Sequence, residues 1–575
     1  MTIRRGAALA APALALVLVA SACSGGGGEE GGGESQETLA DIPAIDVNEV
    51  AREDIEDGGD FHWGINEYPT QFNMSHPDGN LGNVRDIVEA VLPVAHVYDE
   101  TGAASPNPAY LESSEVSEDG LTVTFRLNPD AEWSTGEPIT WEDYAEQVET
   151  VGGAREGDFL VGSPDGYELI DEVERGENDH EVIFHFANPY GDWPKLFAPL
   201  YPKEYMTDPD EFNEGYVSEI PVTAGPFGDV EFDDTAQTII LNKDEDWWGE
   251  PAKLDRIIFH GYENDALAQV YNNDEIDGYY LGTDVAGYEL LRDKEGSRMT
   301  RAVNNGYRFI QFNGSSPKLE DVQVRRALTH AIDREALAQA TMGPIDWPTD
   351  PTVNRLLRSS QTGFQDNSEG LAEYDPELAA QMLDEAGWTQ PEEGATRVNE
   401  DGEELELRWV ISSGLQTMQD EAEIAQAMLS EIGVAVNIES VPNTEYFTGY
   451  IIPGNYEAAA FVLTGSNPYA SDSGENYGGP FGETEDGEPD WGNNTGKVST
   501  QEINDKFDEL QQEVDPERYA EIANEIDRLI WENAQNIPFF QRPGRYVVNE
   551  NIANWGETGL ASMRYEDIGW VQQGS

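Results

Sequence analysis

Alternation at period two marks the strands. In Leu121-Thr122-Val123-Thr124-Phe125-Arg126-Leu127 the apolar residues fall on one side and the polar ones on the other. Residues 180–186, 238–241 and 254–259 are β-branched and aromatic runs of strand length. Helices announce themselves by their starts. Asp375-Pro376-Glu377 puts a capping Asp before Pro at the first helical position; Leu378, Met382, Leu383 and Ala386 then share a face, and Gly387 stops it. Asp515-Pro516-Glu517 repeats the device ahead of a stripe of Tyr519, Ile522, Ile526, Leu529 and Ile530. Residues 421–432 and 322–337 predict two more amphipathic helices, and the apolar faces of all four are core. Strands and helices alternate without a 20–50 residue repeat and without a long linker, which predicts a mixed α/β protein. At 575 residues it needs two or more lobes.

Charge narrows the partners. The chain carries 113 acidic and 32 basic residues, a formal net charge of -81. With 38% hydrophobic residues, 10% aromatics and 57 glycines it still has the material of a folded core. Such a surface will not track nucleic-acid phosphates or lie on an anionic bilayer. Only eight of the basic residues are lysine. Abundant carboxylates with scarce lysine suit a surface kept hydrated in concentrated salt, where the Debye length falls to about 3 Å and self-repulsion is screened. We read this as salt adaptation of an exported protein.

The first residues form an export signal. Arg4 and Arg5 make a positive start, residues 6–20 are almost unbroken Ala, Leu and Val, and Ala20-Ser21-Ala22 precede Cys23. The apolar run is shorter than the roughly 20 residues of a spanning helix. Cys23 is the only cysteine, so no intramolecular disulfide forms. Its position is similar to the lipobox of bacterial lipoproteins, which implies a signal peptide over 1–22 and lipidation of Cys23. Residues 24–35, Gly, Glu and Ser throughout, read as a flexible tether within a 23–40 leader.

Reactive chemistry is missing from the pattern. The seven histidines (62, 76, 96, 180, 185, 260 and 330) form no H-x-x-x-H or H-E-x-x-H, and no second cysteine exists to complete a zinc site. There is no G-x-S-x-G elbow, no phosphate-binding G-x-x-x-x-G-K-[ST] and no G-x-G-x-x-G after a strand. Among 113 acids any one carboxylate pair carries little information. The expectation is a protein that is not an enzyme and uses neither cofactor nor metal.

From residue 111 onward, eight blocks in order resemble one family. They are Ser117-Glu118-Asp119-Gly120-Leu121-Thr122; Trp133-Ser134-Thr135-Gly136-Glu137-Pro138; Thr223-Ala224-Gly225-Pro226-Phe227; and Trp247-Trp248-Gly249 with Pro251 and Leu254-Asp255. Then come Glu275-Ile276-Asp277; Phe312-Asn313 with Asp321 to Leu328 and Ile332-Asp333-Arg334; Glu385-Ala386-Gly387-Trp388; and Ile537-Pro538-Phe539. Together they resemble the extracellular solute-binding proteins of the peptide/nickel class, family 5, which feed ABC importers. The resemblance implies a two-lobed α/β fold of the type II periplasmic-binding-protein kind, closing on a hinge. Lobe I should span 41–308 with a subdomain inserted at about 76–175, lobe II 309–538, and a return to lobe I 539–575. The crossovers should fall near 307–313 and 538–542. Asp333 and Arg334 should hold lobe II together, and Trp133 should be subdomain core.

The resemblance also implies a function and a site. The protein should be a monomeric receptor, lipid-anchored to the outer face of the cytoplasmic membrane, that passes an oligopeptide or peptide-like solute to an ABC permease. Alternatives are the same fold binding a sugar, amine or metal chelate, a non-transport sensor or adhesin, or an extracellular hydrolase. In peptide-binding members an aspartate four residues before a loop proline pairs with the peptide amine. Here Thr464 holds that place, with Asn467 before Pro468. A hydroxyl accepts from an ammonium but supplies no countercharge, so Asp472 or Glu475 must substitute or the ligand is not an ordinary peptide. Tyr469, Tyr477 and Phe481 about a Gly-rich stretch, 474–482, form either an aromatic wall or a surface loop. Tyr68 and Phe72 in the loop after the first strand are the expected contacts from the other lobe.

Overall fold

A computed structural model describes residues 37–571 except 165, 466, 485 and 486. The predicted signal peptide, Cys23 and most of the tether lie outside the described residues. No helix among those described is long and apolar enough to cross a membrane.

Two sheets organise two lobes. The first has seven strands in the spatial order Ser297–Met299, Tyr546–Asn549, Gly278–Tyr280, Asp60–Ile65, Arg256–Gly261, Thr238–Lys243 and Phe227–Asp233. Asp60–Ile65 pairs in parallel with both neighbours, and the remaining pairings are antiparallel. The second has five strands in the order Ala435–Val441, Glu406–Ser412, Ala458–Leu463, Ala302–Phe312 and Asn536–Gly544. Each sheet packs its own core: Phe61, Trp63, Leu241 and Ile257 in the first lobe, Leu407, Trp409, Phe309 and Ile537 in the second.

The subdomain is a four-stranded antiparallel sheet, Leu111–Val116, Thr122–Leu127, Glu181–Phe186 and Ile170–Arg175, backed by the helix Trp141–Val151. It continues past residue 175, because Glu181–Phe186 is one of its two inner strands. Trp133 is buried there and donates its indole N–H to Asp143 Oδ1 at 3.3 Å.

Strand pairing also moves the hinge. The chain changes sheets between Met299 and Ala302 and again between Gly544 and Tyr546, so 302–308 and 539–544 belong to the second-lobe sheet. The register shifts between Val303 and Tyr307, a bulge that bends the strand where it leaves the first lobe.

Local signals set the helices. Asp375 accepts from the Leu378 N–H at 2.9 Å and Asp515 from those of Glu517 and Arg518 at 3.0 Å, starting Pro376–Glu385 and Pro516–Glu532. The 322–337 pattern is two helices, Val322–Ala331 and Arg334–Met342, because Asp333 caps the second by accepting from the Ala336 N–H. Arg334 donates to the carbonyls of Thr352 and Pro538 and lies 5.1 Å from the Trp531 ring, a role inside lobe II.

Candidate ligand-binding cleft between the lobes

In open α/β sheets ligands bind outside the carboxyl ends of the parallel strands. Here those ends are Ile65, Gly261 and Tyr280 in the first lobe and Ser412, Val441 and Leu463 in the second. The loop after Leu463 carries most of the sequence-predicted site, and it meets the first lobe directly. Lys195 forms an ion pair with Asp472, and the Ser471 hydroxyl donates to the Asp192 carboxylate. The Tyr98 and Tyr469 rings meet edge to face at 6.1 Å. Pro468 packs where a side chain on Gly102 would stand, so this approach requires the glycine.

A cavity of about 760 Å³ opens along this seam, within the range of small-solute sites. Asn467 and Pro468 contribute one edge; Tyr98, Tyr110, Lys195 and the Trp247–Trp248 pair contribute the facing wall. The hinge side is acidic. Glu557 accepts from the Asn304 amide and the Gly559 N–H, each at 3.1 Å. Burial pushes the Glu557 carboxyl up to about 7. Asp86 is pushed to about 7 by burial with Glu89 beside it. Asp192 is likewise raised to about 7 by burial, against the pull of Lys195. The cavity can hold an extended, partly apolar solute against the Trp247–Trp248 pair, with charged groups along the lining. Among the described residues no group of three or more His, Cys, Asp or Glu side chains is placed to hold a metal ion.

The predicted residues separate into three groups. Asn467, Tyr469 and Asp472 come together: the Asn467 amide donates to Asp472 Oδ2 at 2.6 Å and its oxygen accepts from the Tyr469 N–H at 3.0 Å. Tyr469 is held by Tyr98, and burial raises its hydroxyl pKa far above the ordinary range. Thr464 is exposed at the start of the same loop. Glu475 is exposed on the far side and accepts from the Asn493 amide at 2.8 Å, away from the cavity. Tyr68 stays on the first-lobe rim, donating its hydroxyl to Asp234 at 2.9 Å.

Phe72 is a correction. It is fully buried against Phe232 in the first-lobe core, because Gln71 bridges to Val217 and turns the next side chain inward. Asp472 is corrected too as a free countercharge for an amine, since Lys195 and Asn467 already engage it. The 474–482 stretch divides: Tyr477 is second-lobe core, bonded to the hydroxyl of Tyr307 and the amide of Asn536, while Phe481 is 57% exposed. Asp192, Lys195 and Tyr98 were not foreseen as a facing wall.

A hinge of two strand crossings between lobes that meet over a solute-sized cavity defines the class: a two-lobed binding protein. The chain belongs to the bacterial extracellular solute-binding proteins, family 5, whose model matches residues 105–485. It is similar to the oligopeptide-binding protein OppA of Mycobacterium tuberculosis H37Rv, 31% identical over 533 residues, 92% of this chain and 87% of that one. A probable monoacyl phosphatidylinositol tetramannoside-binding protein, LpqW, of the same organism is 26% identical over 359 residues, covering 58% of this chain and 55% of LpqW. The fold matches the periplasmic EDTA-binding protein EppA with a TM-score of 0.80 at 22% identity, over 92% of this chain and 99% of that one. It also matches the oligopeptide-binding protein AppA of Bacillus subtilis, in complex with a nonapeptide, with a TM-score of 0.71 at 18% identity, over 90% and 100%.

Proposed function

We propose that this protein is the substrate receptor of an ABC importer for an oligopeptide or peptide-like solute, held by lipid on Cys23 at the outer face of the cytoplasmic membrane. The observation that carries this reading is the 31% identity to an oligopeptide-binding protein along nearly the whole of both chains. Solute enters the open cleft, the lobes turn about the crossings at 299–302 and 544–546, and closure brings Asn467, Pro468 and Tyr469 against Tyr98 and Lys195. The closed pair of lobes then presents one composite face to the permease. Closure contributes binding and positioning, with no bond made or broken.

A second reading, a non-peptide carboxylate such as a metal chelate, is favoured by Thr464, which leaves the amine-binding place of the family without its aspartate.

Peptides of three to nine residues, titrated into the full chain by calorimetry and followed by thermal shift, test the reading. Saturable binding is expected, with a stabilisation of about 2.7 kcal/mol at a hundred times the Kd. Binding of sugars or amines in place of every peptide would sink it.

A further inference from the structure

Arg358 lies directly behind the loop that begins at Thr464. A Cβ built on Gly465 would stand 2.6 Å from its Nη2, so the guanidinium rests against the backbone of that loop. The same segment braces the loop: Gln361 accepts from the Arg358 N–H at 2.8 Å and donates its amide to the Pro468 carbonyl at 2.8 Å. The Arg358 side chain makes one hydrogen bond among the described residues, Nη1 to the Arg355 carbonyl at 2.9 Å, and its Nε is buried without a partner. The Tyr307 ring lies 6.0 Å away. The one carboxylate that bears on it, Asp527, is already paired with Arg355 in a fully buried ion pair.

Arg325 is better satisfied, donating to the carbonyls of Leu319, Glu320 and Asn533. Arg545 also keeps a partnerless Nε, but its guanidinium lies closer to aromatic rings, 4.8 Å from Tyr288 and 5.1 Å from Trp347, and donates to the Ile345 carbonyl. A desolvated cation left unpaired costs several kcal/mol. In a chain with 113 acids a carboxylate partner for Arg358 was easily available, yet among the described residues none is paired with it. The two acids that could have made this rim suitable for an ammonium are engaged or turned away: Asp472 holds Lys195, and Glu475 holds Asn493. An ammonium brought beside Gly465 would approach the Arg358 guanidinium, with no unengaged carboxylate of this loop among the described residues.

We infer that the rim at Thr464, Gly465, Asn467 and Pro468 receives an anionic group of the solute, a carboxylate in a peptide-like ligand, with Arg358 as its countercharge and the Thr464 hydroxyl as a further donor. This rests on the receptor reading above and reverses the polarity that the family resemblance implies for this place. A peptide would then lie with its carboxyl end at this loop, and a polycarboxylate would need no amine at all.

The test uses a randomised tetrapeptide pool, offered to the immobilised full chain as free acids, as C-terminal amides and as N-acetyl forms, and read as the amount retained. Amides should be retained at least about ten-fold less than free acids, because they lose a charge-assisted hydrogen bond. N-acetyl forms should be retained about as well as free amines. Arg358→Gln should hold acids and amides alike, and Arg358→Lys should keep the preference for acids. Thr464→Asp, an exposed substitution that leaves folding unaffected, should pair with Arg358, weaken the acids and favour free amines. EDTA, titrated into the same proteins, separates this inference from the peptide reading. If every form of the pool fails while EDTA binds and is lost in Arg358→Gln, the peptide reading falls and the anionic site stands. Amides retained as well as acids, an acid preference that survives Arg358→Gln, or no binding by any carboxylate probe overturns the inference.

Discussion

Replacing Lys195 with methionine removes the ammonium from the seam while keeping most of the apolar stem. The Lys195 side chain is 8% exposed and its partner Asp472 34% exposed. Truncating one partner of a fully buried pair costs about 3–5 kcal/mol, and exposed pairs are worth at most about 1 kcal/mol. Asp472 keeps water on one side and the Asn467 amide on the other, so the loss falls between, at about 1–3 kcal/mol. The pair joins residues 277 apart in sequence and bridges the two lobes. Its loss therefore acts on closure far more than on the cohesion of either lobe. The ratio of closed to open protein should drop by about 5-fold to 150-fold, and solute affinity should fall by up to the same factor. Small-angle scattering should report a larger radius of gyration for Lys195→Met in the presence of solute, and calorimetry the weaker Kd. A double-mutant cycle with Asp472→Asn isolates the pair. Unchanged scattering together with additive losses in that cycle would refute the bridge.

Cys23→Ser should move the protein from the membrane fraction to the medium with its melting temperature unaltered; retention at the membrane would show a different anchor. Melting temperature should rise between about 0.05 M and 1 M NaCl as the Debye length shortens to about 3 Å, whereas a flat or falling curve removes the salt-adaptation argument. Asp192, pushed up to about 7, keeps in the folded state a proton that the unfolded chain releases near pH 4. Its contribution to stability is therefore full below that pH and is lost as pH rises toward 7. Asp192→Asn should gain melting temperature relative to the parent between about pH 5 and 7.5, and parallel curves for the two proteins would show that the carboxyl is not held protonated.

What the sequence made legible follows the range of the interactions involved. Strand Thr122–Leu127 and helix Pro516–Glu532 sit where alternation and an Asp-Pro start put them, because capping and amphipathicity act over a few residues. The helix break at Asp333 was hidden because the apolar period runs on across it, and the cap shows only in its bond to Ala336. Asn467, Tyr469 and Asp472 share one loop, so finding one found the others. Their partners Tyr98, Asp192 and Lys195 arrive from a distant stretch of chain, and no local pattern encodes that approach. Phe72 failed for a related reason. Membership of a rim loop says nothing about which way a side chain turns, and the Gln71–Val217 bridge turned this one inward.

The scarcity of cations ties the surface to the cleft. Several of the 32 basic residues are used within a lobe, where they fix architecture. Arg308 grips Glu421 through Nε and Nη2 at 2.6–2.8 Å, and Arg355 is fully buried with Asp527 and stacked 3.8 Å from the Trp531 ring. Such pairs are shielded from solvent and respond little to ionic strength. At the seam Lys195 stands against Asp192 and Asp472, and further along the cavity wall Arg85 and Arg542 act on Asp86 and Glu557. Carboxylates that meet across the lobes are partly exposed, so screening by salt acts on them more than on pairs sealed in either core. Burial, which pushes Asp192 up to about 7, works in the same direction, because each proton it takes up removes a negative charge from the interface that closure must bury. Conditions that screen or neutralise carboxylates should favour the closed form, and under the inference above an anionic solute brings its charge to Arg358, whose guanidinium is paired with no carboxylate among the described residues.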